Sequence, residues 1–230
     1  MGAHHATATA TARVRPADDA HVDPWLRMRF APAQARRPAP GGATVRDALR
    51  AIASLRPDPA ALELELCRVH ALLDEKQSAL RRRLAAGASS GEVAQAEARL
   101  LDGTVIGLCH LGRLLGPQPA SMVPPLAVIA RGDYGRRMLA PGASADLLFL
   151  LEADPVRCKH GCDLAQFVAR ELIALGWQAS GARRTVCGCL AETHLDPAVA
   201  SDRSAACLVW GAQRLFTDLH AALAQGGRGG

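Results

Sequence analysis

The residues with the clearest chemical promise are Gly132-Asp133-Tyr134-Gly135-Arg136, with Asp146 ten positions beyond Arg136. An apolar run, Pro125 to Ala130, precedes the glycine-punctuated turn, and a second run, Ala145 to Leu150, carries the aspartate near its start. This is the layout of a phosphate-transfer site built on two neighbouring strands. The turn would let a triphosphate approach the backbone, and the aspartate would hold a metal ion. Such sites usually place two carboxylates around a metal pair, and this segment offers one. A plainer reading stands beside it. Gly132, Gly135 and Pro141 suit a tight turn whether or not phosphate binds, Tyr134 and Arg136 could pack and pair across it, and Asp146 could face water.

A second constellation is sulfur-rich. Cys158, His160 and Cys162, then Cys187 and Cys189 with His194 nearby, put four cysteines and two histidines within 37 residues. Two cysteine pairs could close a tetrahedral zinc site. The spacings Cys-x₃-Cys and Cys-x-Cys are less diagnostic than paired Cys-x₂-Cys knuckles, so free reduced thiols are the competing reading. Cys67, Cys109 and Cys207 fall in stretches read as helical and are expected to be small apolar core residues. No Gly-x-Ser-x-Gly elbow occurs, which argues against a serine hydrolase.

These residues need elements to position them. Thr44 is placed to cap a helix reaching about Leu55, and Pro57-Asp58-Pro59 breaks it. Leu62, Leu66, Val69, Leu72, Leu73, Leu80 and Leu84 recur near a spacing of 3.6, predicting a helix over about 59–86 that Gly87 ends. A further helix runs from Ser89 or Ser90, with Glu92 close behind, to Gly116, antiparallel to the one before. After Pro124-Pro125 the pattern changes: 126–130 and 145–151 read as buried neighbouring strands. A helix over 163–175, a third strand over 177–186 and a last helix over 201–224 follow. The expected organisation is a flexible Ala/Pro/Arg-rich arm (1–43), a helical lead-in (44–120), a domain carrying the turn (121–225) and a disordered Gly-rich tail (226–230).

Composition narrows the function. The chain has 230 residues, 49% hydrophobic, which is enough for a core, and only 3% aromatic, so Leu, Ala and Val must fill it. Residues 1–50 hold eight arginines and four aspartates, whereas the rest is nearly neutral, with 19 basic and 18 acidic residues. A basic arm on a neutral body, without stacking aromatics in its Arg-rich stretches, argues against nucleic acid as partner. The run Arg81-Arg82-Arg83 is most simply the solvated end of a helix. No apolar stretch approaches the roughly 18 residues that span a bilayer, and no signal-peptide core is present. Seven cysteines without an export signal fit a reducing cytoplasm.

From about Leu72 to Leu223 the chain resembles the N-terminal nucleotidyltransferase domain of the bacterial PII uridylyltransferases, the bifunctional uridylyltransferase/uridylyl-removing enzymes. Arg81-Arg82-Arg83-Leu84-Ala85-Ala86-Gly87 is similar to a segment of that family's helical lead-in. The family signature Gly-Gly-Tyr-Gly-Arg-Gly-Glu-Leu, a Pro, then Ser-Asp-Ile-Asp-Leu-Leu is matched by Gly132-Asp133-Tyr134-Gly135-Arg136-Arg137-Met138-Leu139, Pro141 and Ala143-Ser144-Ala145-Asp146-Leu147-Leu148. Trp210-Gly211 and Leu215-Phe216 resemble a helix near the family domain's end. The resemblance implies an α+β fold: a helical hairpin, then a polymerase-β-like mixed sheet with flanking helices.

It also implies transfer of UMP from UTP to a tyrosine of a PII-like signal protein with Mg²⁺. Gly132, Asp133, Tyr134, Gly135, Arg136 and Ser144 would lie against the nucleotide, and Asp146 would be the catalytic metal ligand. The departures fall on that chemistry. Ser144 stands where the family has its first aspartate, Asp133 and Arg137 where it has glycines, and Met138 where it has an acid. Weak or lost catalysis is therefore expected, with a non-catalytic binding module or a zinc-stabilised interaction domain as alternatives. Family members continue into a metal-dependent hydrolase domain and two ACT domains, so uridylyl removal and the glutamine response are not expected of this chain.

Overall fold

Thr44 begins the first helix in the manner expected. Its hydroxyl accepts from the Asp47 N–H at 3.1 Å and donates to the Asp47 carboxylate at 2.6 Å, closing the exposed end of α1 (Val45–Leu55). The computed structural model describes residues 44–55, 58–116, 126–153, 158–195 and 205–226. The arm placed at 1–43, the domain boundary at 120/121 and the tail beyond 226 lie outside them. Asp58 caps α2 (Pro59–Ala85) by accepting from the Ala61 N–H at 2.9 Å, with Pro59 at the first position, where no amide is needed. Gly87, at φ +89°, closes that helix, and three residues later α3 (Ser90–Leu115) runs back along it. Of the apolar stripe read for α2, Leu62, Val69, Leu72, Leu73 and Leu80 are buried, whereas Leu84 is exposed.

Helix α3 is the axis of the lead-in. A Cβ added to Gly107 would meet Leu49 of α1 at 2.6 Å, so the missing side chain is what lets the two helices close. One turn further on, Gly112 does the same for α5 (Lys159–Ala174), whose Leu164 and Phe167 lie against it. The helical hairpin is thereby packed onto the remainder of the chain rather than hung beside it.

That remainder is a four-stranded sheet in the order β3-β2-β1-β4. Strand β1 (Leu126–Arg131) leads through the single-turn helix α4 (Gly132–Gly135) to β2 (Ala145–Leu151), and the two pair antiparallel. Helix α5 carries the chain across to β3 (Ala179–Thr185), parallel to β2, as a parallel pair requires. Next come α6 (Val186–Leu195), β4 (Cys207–Gly211), antiparallel to β1, and α7 (Gln213–Gly226). Side chains alternate between two covered faces. Ala127, Ile129, Leu148 and Leu150 face Cys189 of α6 and Leu215 and Leu219 of α7. The other face meets α5, where Gly161 lies close to Leu151. The architecture is α+β, a helical hairpin leading into a mixed sheet with flanking helices, as expected.

Two expectations need correction. The segment read as one helix over 201–224 contains strand β4, so Cys207 is a strand residue and Trp210-Gly211 are not helical. A four-residue apolar run, Cys207-Leu208-Val209-Trp210, fits either period, and the free edge of β1 decides it. The third strand stops at Thr185, whose hydroxyl accepts from the Gly188 N–H at 3.1 Å and starts the unexpected α6. No helix among the described residues is long and apolar enough to cross a membrane.

Candidate functional site

Every residue of β1 and β2 is buried except Arg131 and Asp146. Those two are direct cross-strand partners in the antiparallel register. The Arg131 guanidinium donates to the Asp146 carboxylate at 2.8 Å, the arginine side chain being 15% exposed and the aspartate 33%. On the far side of β2, Ser180 of β3 is paired in register with Asp146 and its hydroxyl donates to the same carboxylate oxygen at 3.4 Å. Arg131, Asp146 and Ser180 thus form a row across three strands. Ser144, just ahead of β2, is exposed.

The turn between the strands is tied into the fold by its own contacts. Gly132 takes φ +55° to leave the strand. A Cβ on Gly135 would stand 2.2 Å from the Ala205 carbonyl oxygen and 2.9 Å from that of Ala130, so the turn is wedged between backbones. Tyr134 is turned into the protein. It is 1% exposed, and its hydroxyl donates to Asp102 of α3 at 2.8 Å. Burial, reinforced by the Asp102 charge, holds the phenol protonated well above its ordinary range. The helical turn closes with Met138 N–H on the Asp133 carbonyl at 2.8 Å and Arg137 N–H on that of Tyr134 at 3.1 Å. This is a Schellman closure with Arg137 at the left-handed position, φ +62°. The Arg137 guanidinium pairs with Asp102 and donates to the Cys207 sulfur at 3.2 Å. Asp133 and Arg136, both assigned to the nucleotide, pair with each other at 2.7 Å in solvent.

The donor set does not suit a two-metal centre. Mg²⁺ favours near-octahedral oxygen ligands with one or two carboxylates among them. The row holds one carboxylate, and one of its oxygens already accepts from Arg131 and Ser180. Two unit charges about 4 Å apart at an effective dielectric of about 20 interact by about 4 kcal/mol, and a divalent ion beside the guanidinium would be repelled by about twice that. Among the described residues no group of three or more His, Cys, Asp or Glu side chains could hold a metal. The cysteines read as zinc ligands are not brought together. Cys158 and Cys162 sit at the start of α5 on one face of the sheet. Cys187 and Cys189 sit on α6 on the other, with Cys189 in the core beside Leu148 and Leu150.

Three residues central to this geometry were not singled out from the sequence. Asp102 lies 32 and 35 positions from its partners Tyr134 and Arg137. No short-range pattern signals such a contact. Arg131 follows the apolar run directly, and its one local signal is a charge at the end of a buried strand. Ser180 required the β2–β3 register.

No family model matches the chain. Over 93 residues it is 36% identical to a bifunctional uridylyltransferase/uridylyl-removing enzyme of Thiobacillus denitrificans, a match that covers 40% of this chain and 11% of that protein. Proteins of the same name from Gluconobacter oxydans and Azospirillum brasilense are 29% identical over 132 residues and 27% identical over 154. Those matches cover 57% and 66% of this chain and 13% and 16% of the relatives. The chain therefore spans well under a fifth of the length of the curated relatives it matches. Over part of its length the chain is thus similar to bifunctional uridylyltransferase/uridylyl-removing enzymes, and its α+β sheet and the residues Gly132 to Asp146 agree with that similarity.

Proposed function

We propose that this chain is a uridylyltransferase-type domain in which metal-dependent transfer of UMP is lost or very weak, and which keeps the fold as a binding module. The observation that carries the reading is the state of its one remaining site carboxylate. Asp146 is committed to Arg131 at 2.8 Å, with Ser144 where the family places the other acid. A serine hydroxyl is neutral and a poor substitute for a carboxylate toward Mg²⁺. The turn supports the same reading. Tyr134 and Arg137 serve to anchor it to α3, and Asp133 is paired with Arg136. What the fold would bind by resemblance is UTP or another nucleotide, and a PII-like signal protein.

The test is to incubate the protein with labelled UTP, Mg²⁺ or Mn²⁺ and a PII protein. The expected result is no incorporation above that of a denatured control. Incorporation that disappears in Asp146→Ala would show an active transferase using Asp146 and the Gly132–Arg136 turn, and would overturn the proposal.

A further inference from the structure

The uridylyltransferase-type reading attributes the loss of metal chemistry to a missing acid. The geometry points to a second cause: we propose that Arg131 is a built-in counter-cation that closes this face to divalent ions, whatever stands at position 144. The inference rests on the reading above and deepens it.

Asp146 has one cross-strand neighbour on β1, and that neighbour is Arg131. Its guanidinium is not a surface group that swings away freely. The side chain is 15% exposed, and its Nε is buried without a hydrogen-bond acceptor among the described residues. The charge therefore stays beside the carboxylate, 2.8 Å away, in the space where a cation would approach. A divalent ion arriving here must either displace a seated arginine or accept its repulsion. The nearby charges on Asp133 and Arg136 are paired with each other and offer little net attraction.

The consequence separates two accounts. If Ser144 alone explains the loss, Ser144→Asp restores a pair of carboxylates two residues apart and the site binds metal. If Arg131 holds the site closed, that substitution changes little, and only removal of the guanidinium as well opens it. Position 144 is exposed, so the single variant does not threaten the fold.

The experiment is a Mn²⁺ titration followed by electron paramagnetic resonance, in which bound Mn²⁺ loses the sharp signal of the free ion. The proteins are wild type, Ser144→Asp, Ser144→Asp with Arg131→Leu, and Ser144→Asp with Arg131→Lys, each checked by thermal melting. The expected affinities of wild type and Ser144→Asp agree within about threefold, whereas the Leu double variant binds at least about thirtyfold tighter and the Lys double variant stays near wild type. Ser144→Asp binding as tightly as the Leu double variant would overturn the inference and leave the proposed function standing. So would a Leu double variant that folds but binds no better, or a Lys double variant equal to the Leu one. Tight Mn²⁺ binding by the wild type would instead overturn the reading on which the inference rests.

Discussion

Arg131 and Asp146 meet on one face of the sheet, and Arg137 and Asp102 meet on the other, where α3 packs. The chemistry of the two pairs is the same, but their settings differ. The first joins adjacent strands that five further pairs of buried residues already hold together through the β1–β2 ladder, so the fold does not depend on it. The second joins α3 to the turn after β1 and takes in the Tyr134 hydroxyl and the Cys207 sulfur, so three separate parts of the chain depend on it. An ion pair within a sheet can be exchanged for another without structural loss. One that connects layers cannot.

Helix ends sharpen the contrast. Helices α2 and α5 close with glycines in the left-handed conformation, Gly87 at φ +89° and Gly176 at φ +84°. Helix α4 closes in the same way on Arg137 at φ +62°. A side chain there costs about 1–2 kcal/mol of backbone strain, which the Asp102 contact offsets. This arginine was read from the sequence as decay of a phosphate-binding glycine. In the fold it also ties the turn to the helical lead-in.

The largest expected effect is at Gly135. Gly135→Ala sets a methyl group against two backbone carbonyls and should cost about 3 kcal/mol or more, read as a lower denaturation midpoint at unchanged slope. Asp102→Ala should follow, at about 2–3 kcal/mol, because it strands a buried phenol and an arginine held in a strained conformation. A loss below about 0.5 kcal/mol would mean that the layers are joined by packing alone.

Glu97 gives an effect of intermediate size that depends on pH. It is 1% exposed on α3, its Oε2 has no hydrogen-bond partner among the described residues, and burial raises its pKa, opposed by the Arg81 charge. A carboxyl whose folded pKa lies above its unfolded value supports the fold below the ordinary value of 4.5 and loses that contribution as pH rises through the folded value. Glu97→Gln should therefore be more stable than wild type at neutral pH, by about 1–2 kcal/mol, with the gap closing in acid. Thermal melts at pH 7 and pH 4 measure it, and an equal gap at both would refute the assignment. The smallest effect is at the site itself. Asp146→Ala should change stability by less than about 1 kcal/mol, as for other partly exposed pairs. A cost matching that of Asp102→Ala would remove the distinction between the two pairs.

Much of the fold was legible because period dictates it. The apolar runs at 126–130 and 145–151 are strands, and the leucine stripe of α2 is a helix within a residue of its expected ends. Strand β4 was not, since four apolar residues ahead of a helix carry too little periodic information to separate the two. The site was legible as a signature and opaque as an arrangement. Gly132, Tyr134 and Asp146 could be found by spacing. That Tyr134 turns inward to Asp102, that Arg131 faces Asp146, and that the two cysteine pairs lie on opposite faces all follow from register and layer order. These are properties of the whole sheet.

Crystals of the wild-type protein grown with Mn²⁺ and UTP, with diffraction recorded for the anomalous signal of manganese, show whether Asp146 can hold a metal ion. The account predicts no manganese peak within coordination distance of Asp146 and an intact contact between that carboxylate and Arg131. A manganese ion ligated by Asp146, with the guanidinium turned aside and a triphosphate beside it, would contradict it.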